Sequence, residues 1–373
     1  MSERSMERGA RSRDIPVPSG ALDVWETKSI RRDRNVPAPW VFRVLAFLIV
    51  WSAFVMRSSA HAEEIRRATR DVDVLVVVGA EGTPEYGKKF QEQVDAWKAA
   101  SEKAAVKFEV IGTAEEKIDD AKQLEERLKA QHGKTGGALW LVFIGHGTFD
   151  GRVAKFNLRG ADLTPTQLAD WLKPVKRELV FIDTTSASAP FAKAVAGAGR
   201  ICVSATKSAD EFFYARFGEF FAKAIGGLPA ADLDQDKQVS VLEAFLHSSK
   251  QVAEFYETDG RLATEHSIID DNGDGTGTRA EVFTGVNPGK TADGSKPDGE
   301  RARQVGLVLS EDDAKLTDAA RAKRDELERS IRTLADKKAK LPEAEFYREM
   351  EKLMLELARI YGVESTPTGP TGR

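Results

Sequence analysis

Ala138-Leu-Trp-Leu-Val-Phe-Ile-Gly-His-Gly147 is the stretch whose reading decides the fold. Seven consecutive apolar residues are too few for an ordinary helix and read as a strand buried on both faces. The run stops at a histidine held between two glycines. Similar runs flank it: 72–78 ending at Gly79, 107–111, 178–182 running into Asp183, and 200–206. Helical spacing fills the gaps, with Phe90, Val94 and Trp97 inside 84–105, and Ile118, Leu124 and Leu128 inside 115–131. Asp150-Gly151 marks a hairpin within 148–160, and Thr164-Pro-Thr-Gln167 is a capping box with Pro at the first helical position. A Phe-rich helix is expected over 211–225. Strands that alternate with helices need crossover connections, so the fold class is α/β, a mainly parallel sheet sandwiched by helices.

The 373-residue chain is 41% hydrophobic, enough for a sizeable core, and its 31% charged fraction implies solvated helices. A net charge of -4 leaves no overall basic footprint, which argues against a nucleic-acid partner. The single cysteine, Cys202, excludes an intrachain disulfide framework, cysteine-based zinc sites and CxxC redox chemistry. No apolar stretch suits a multi-span membrane protein.

Residues 1–62 read as a disordered basic region followed by a signal peptide or anchor. The uncharged run Val44-Leu-Ala-Phe-Leu-Ile-Val-Trp-Ser-Ala-Phe-Val-Met56 has the length of a signal-peptide core, and Ala60-His61-Ala62 is an A-x-A cleavage pattern. Export to a periplasmic or extracellular location with cleavage after Ala62 is expected. An uncleaved anchor over residues 40–56 is the alternative, and it is the one route by which a membrane would be a partner. Residues 63–285 form the α/β domain, 286–309 a flexible linker, 310–361 a helical hairpin and 362–373 a disordered tail. In the hairpin, Ser310-Glu-Asp-Asp313 caps a charged helix to about 338. After Leu341-Pro342 a second helix carries Leu353, Leu355, Leu357 and Ile360 on one side. The hairpin either packs on the core or serves docking and self-association.

In open parallel sheets, sites form beyond the carboxyl ends of the strands. Two loops qualify: Ile144-Gly-His-Gly-Thr148 and Ile182-Asp-Thr-Thr-Ser-Ala-Ser188. This pair resembles the caspase/legumain-like superfamily of cysteine peptidases over residues 72–225. There one strand ends in His-Gly and the next ends in a polar residue, a small residue and the nucleophilic Cys. The chain also looks like an exported bacterial group sharing Lys155-Phe-Asn157-Leu and Thr264-Glu-His266 followed by Asp270-Asp-Asn-Gly-Asp-Gly275. The resemblance places His146 as general base, Gly147 as the oxyanion-hole N–H, and Thr185 where the cysteine belongs. A thiol titrates near ~8.5 and is readily driven to thiolate, whereas a hydroxyl needs a strong, oriented base. No residue in the sequence marks itself as the orienter of His146. The resemblance therefore implies a degenerate dyad in a non-catalytic binding or regulatory protein with a peptide or protein ligand. A hydrolase using Thr185 or Ser186 with His146 is the alternative. A cell-envelope structural protein assembling through the hairpin is a third reading.

Two acidic loops are candidate Ca2+ sites. Asp232, Asp234, Asp236, Gln238, Ser240 and Glu243 stand at the spacing of an EF-hand loop, with a helix expected over 241–256. Lys237 occupies the turn position that favours Gly. The competing reading is an acidic helix-capping loop. Asp270, Asn272, Asp274, Thr276, Thr278 and Glu281 repeat the donor pattern with no good helix following, as either a cation loop or a solvated turn. His266 reads as a structural hydrogen-bonding residue, and His132 and His247 carry no motif. Gly79-Ala-Glu-Gly82 is not a dinucleotide fingerprint.

Overall fold

The computed structural model describes residues 70–114, 119–289 and 297–362. The readings made for residues 1–62, for 290–296 of the linker and for the tail from 363 lie outside the described residues. Among the described residues no helix is long and apolar enough to cross a membrane.

The strands are β1 (Val72–Val78), β2 (Lys107–Ile111), β3 (Ala138–Ile144), the short pair β4 (Gly147–Phe149) and β5 (Ala154–Phe156), then β6 (Glu178–Asp183), β7 (Arg200–Ser204), β8 (Ile268–Asp270) and β9 (Thr278–Arg279). The main sheet has the order β2-β1-β3-β6-β7-β8-β9. Its first five members run parallel, and β8 and β9 add antiparallel to that edge. Period-two alternation splits each central strand between two cores. Val74, Val76, Trp140 and Val142 face one layer; Leu75, Val77, Leu141 and Phe143 face the other. The first layer is α1 (Pro84–Ala104), with α5 (Phe217–Ile225) and α6 (Val241–Thr258). The second is α2 (Asp120–Lys129), α3 (Pro165–Leu172) and α4 (Ala189–Val195). Each large side chain sealed between sheet and helices, such as Trp97, Phe181 or Phe221, contributes about 2–3 kcal/mol by leaving water. The α/β sandwich expected from the sequence is the observed architecture.

Several boundaries differ for physical reasons. Helix α2 begins at Asp120 because the Asp119 side chain accepts the Lys122 N–H. The Phe-rich helix begins at Phe217, where the buried Glu265 carboxylate accepts the Arg216 and Phe217 amides; Phe212 and Phe213 remain exposed. Residues 297–309 are packed, which corrects the flexible-linker reading for that part. The Asp271 carboxylate accepts the Gly299, Arg301 and Ala302 amides, Val305 accepts the Val241 N–H, and Leu307 is buried.

The hairpin consists of α7 (Asp318–Asp336) and α8 (Glu343–Ile360). Thr317, not the Ser310–Asp313 stretch, caps α7; 313–315 is a 3-10 turn. The base of α7 is tied to the body by the buried Arg324–Asp313 ion pair, and by Gln304 Nε2 donating to the Asp325 carbonyl at 2.7 Å. On α8, Phe346 is buried and Leu353, Leu357 and Ile360 are half-buried, but Leu355 is exposed.

Candidate functional site

Strands β3 and β6 end at the same level, with Phe143 paired to Asp183. Beyond them, the Thr184 amide and hydroxyl both donate to the Phe143 carbonyl, at 3.0 and 2.7 Å. The loop carrying His146 thus lies against the turn carrying Thr185 and Ser186, as the sequence led one to expect. The contact is close enough to dictate glycine: a Cβ on Gly147 would sit 1.9 Å from the Ser186 carbonyl oxygen. The β4–β5 hairpin folds back to hold the loop, with the Asn157 N–H donating to the His146 carbonyl at 3.0 Å.

The His146 ring is half-buried in an aromatic box. Tyr86 meets it edge-on at 4.6 Å, Phe90 at 5.2 Å and Tyr214 at 5.9 Å. Burial lowers its pKa, and a hydrogen bond to the Glu81 backbone only partly opposes this, so the imidazole is neutral at pH 7. The orienting group is a backbone carbonyl, which is why no residue type announced it. Tyr86, Phe90 and Tyr214 were missed as site residues because aromatics at helical spacing read as core. Lys89 adds a cation 5.1 Å above the Tyr214 ring.

Thr185 lies in the turn after β6, and its hydroxyl is turned inward. Oγ1 donates to Asp183 Oδ1 at 2.7 Å, and the Thr185 amide donates to the same oxygen at 3.0 Å. Among the described residues no hydrogen bond joins Thr185 to His146. Among the described residues the buried Ser186 hydroxyl and Asp183 Oδ2 have no partner. Asp183 is wholly buried, and burial outweighs the Thr185 hydrogen bonds to push its pKa up to about 7. Ala187 takes a left-handed φ of 53° and donates to the Glu211 carbonyl at 2.8 Å. The Glu211 carboxylate binds the His266 amide at 3.0 Å and its ring Nδ1 at 2.5 Å, so His266 does the structural work expected of it. Cys202 lies inside β7, paired with Phe181 and Asp270, and burial raises its thiol pKa. It is no substitute nucleophile.

The first acidic loop gathers three carboxylates and also caps a helix. Asp232, Asp234 and Asp236 bring carboxylate oxygens within 4.8 Å of one another. Lys237 adopts φ 71°, the turn conformation that glycine normally supplies. Burial, with Glu243 and Asp236 adding to it, pushes the Asp234 pKa up to about 6. The other expected ligands are committed elsewhere. Ser240 and Glu243 form the capping box of α6, and Gln238 Nε2 donates to Asp236 and Asp313 at 2.9 and 3.0 Å.

The second loop closes on its own backbone. Asp270 accepts the Gly273 and Gly275 amides, Asn272 Oδ1 accepts the Asp274 N–H, and Asp274 accepts the Thr276 N–H. Thr278 donates to Asp298 at 2.6 Å, and Glu281 pairs with Arg279 at 2.6 Å. Among the described residues its carboxylates do not converge as the first three do.

These features define an α/β protein with a histidine site across two adjacent strand ends. No protein-family model matches the chain, and no curated protein matches it. Solved structures are similar to it. The Drosophila initiator caspase Dronc is 10% identical, with 56% of this chain and 81% of that one covered and a TM-score of 0.37. Caspase-1 from Spodoptera frugiperda is 8% identical, with 54% and 87% covered and a TM-score of 0.36. Protein GSU0716 from Geobacter sulfurreducens is 11% identical, with 48% and 88% covered and a TM-score of 0.33. Two of the three are caspases.

Proposed function

We propose that the protein is an exported caspase/legumain-like pseudo-peptidase that binds a peptide or protein segment at the β3–β6 edge. The observation that carries this reading is Thr185. The resemblance puts it where the nucleophile belongs, and its hydroxyl is given to Asp183. A β-branched alcohol bonded away from the neutral imidazole lacks the activation that acyl transfer needs. The aromatic box around His146, with Lys89 above Tyr214, supports recognition. Panning a random-peptide display library against the folded protein is expected to enrich sequences whose binding falls about tenfold in Tyr214→Ala, or ~1.4 kcal/mol. Enrichment that is indifferent to Tyr214 sinks the reading.

The second reading is a serine hydrolase. The unmet hydroxyl of Ser186, next to the His-Gly loop, favours it. Its test is given at the end of the Discussion.

Export rests on the apolar run and the A-x-A pattern. Amino-terminal sequencing of the exported form is expected to begin at Glu63; a chain still carrying residues 44–56 supports the anchor instead.

Structural Ca2+ is part of this proposal, held by Asp232, Asp234 and Asp236. The hard oxygen donors suit that ion, and they supply fewer side-chain ligands than a full EF-hand loop. Saturating Ca2+ at about 100 times Kd adds ~2.7 kcal/mol, which raises Tm by roughly 5 °C. Asp232→Ala should abolish the rise. The effect should fade below pH 6, where a proton competes for Asp234. An unchanged Tm in millimolar Ca2+ removes the ion from the account.

A further inference from the structure

The 184–187 turn carries four features in a few residues. Asp183, wholly buried, holds both the amide and the hydroxyl of Thr185 through one oxygen, while its second oxygen has no partner among the described residues. Ser186 has a buried hydroxyl without a partner. Ala187, a residue with a Cβ, is in the left-handed region, where it costs about 1–2 kcal/mol. From outside, the start of the turn is held by the Thr184 amide and hydroxyl on the Phe143 carbonyl, and its end by the Ala187 N–H on the Glu211 carbonyl at 2.8 Å, so the stretch free to move is 185–187. Two unmet buried polar atoms and a strained residue all destabilise this arrangement, and all are relieved if the turn moves outward.

We propose that the turn is a pH-dependent latch, closed while Asp183 carries a proton and opening as that carboxyl ionises and takes up water. The sign follows from linkage. In the closed turn burial holds Asp183 at about 7, whereas a solvated aspartate titrates near ~3.9. The open state binds the proton more weakly, so raising the pH through the window between these values favours opening. Ionised neighbours do not reverse this. From β3, Asp183 faces Phe143, and from β7 it faces Ser204; neither titrates. On the turn its hydrogen-bond partner is Thr185. The nearby titratable groups face elsewhere: His146 toward Glu81, and Glu211 toward Lys207 and His266.

Opening frees two backbone N–H groups, that of Thr185 from Asp183 and that of Ala187 from Glu211. Together they suit the carbonyl oxygens of an extended peptide. This step rests on the binding reading, so the latch makes the site more receptive at neutral and alkaline pH than at pH 5.

Hydrogen exchange of the full chain, read on peptides spanning 183–188 without any ligand, tests the latch. After correction for intrinsic exchange, protection is expected to fall by about tenfold or more from pH 5 to pH 8, and to be flat in Asp183→Asn. Thr185→Val, which keeps the carboxyl, should retain the pH dependence from a lower baseline, and serves if Asp183→Asn fails to fold. Protection independent of pH in the parent overturns the latch, as does a pH dependence that persists in Asp183→Asn or vanishes in Thr185→Val. Because no peptide is present, failure here leaves the binding reading intact, and failed library panning leaves the latch intact.

Discussion

Gly147→Ala should lower the unfolding free energy by about 3 kcal/mol and abolish the peptide binding proposed for the β3–β6 edge. The added methyl would lie 1.9 Å from the Ser186 carbonyl oxygen, and that atom is backbone with little freedom to retreat. Both loops are anchored: the Thr184 amide and hydroxyl donate to the end of β3, and Asn157 donates to the His146 carbonyl. Relief therefore means separating the His146 loop from the Thr185 turn, the juxtaposition on which the site depends. Chemical denaturation compared with Gly136→Ala measures the effect. Neither glycine has a positive φ, and no atom lies within 4 Å of the Cβ that Gly136 would gain, so it controls for the glycine-to-alanine change without a clash. Equal losses at the two positions would mean that the loops are not in contact.

The second large effect lies at the other edge of the sheet. Arg177 is buried and binds Asp73 Oδ2 at 2.5 Å, Gln131 Oε1 at 2.8 Å and the Asp71 carbonyl at 2.5 Å. Arg177→Met should cost about 3–5 kcal/mol, because it strands partly buried Asp73 with Lys134 as its remaining cation. Burial raises the Asp73 pKa, but hydrogen bonds from Lys134 and Arg177 outweigh it, and the net shift is downward. A depressed carboxylate stabilises the fold above its unfolded pKa and stops doing so as pH falls through the folded one. The cost of Arg177→Met should therefore be largest at neutral pH and shrink below pH 4. Urea melts at pH 7 and pH 3 check both statements, and a cost that does not change with pH would remove the ionic part of the argument.

How far the sequence could be read depended on whether each signal was local. The strands were legible because a parallel sheet covered on both faces needs near-continuous apolar runs, and 138–144 and 178–183 have them. The capping box at Thr164 was legible because its geometry is contained in four residues. The packing of 297–309 was not. Its Gly, Pro and Asp content reads as a flexible linker, yet Asp271, far away in the chain, donates its N–H to Asp298 and accepts the Gly299 amide. Strand ends alone located the two loops, and the resemblance singled out His146 and Thr185 within them. The direction of the Thr185 hydroxyl could not be read, because it is set by Asp183, a residue the sequence shows simply as the end of a strand. Likewise Ser240 and Glu243 satisfy two patterns at once, calcium ligand and capping box. Only the fold decides between them, by turning both toward the α6 amides.

The account turns on a hydroxyl at position 185 that Asp183 occupies while the turn is closed, and on a β-branched alcohol that the neutral imidazole of His146 does not activate when the turn opens. Intact-mass measurement after prolonged exposure to a reactive fluorophosphonate at pH 7 and pH 8 probes this directly. The protein is expected to keep its unmodified mass at both values. A stoichiometric adduct on Thr185 or Ser186 that disappears in His146→Ala would contradict the account and establish a working serine- or threonine-type hydrolase instead.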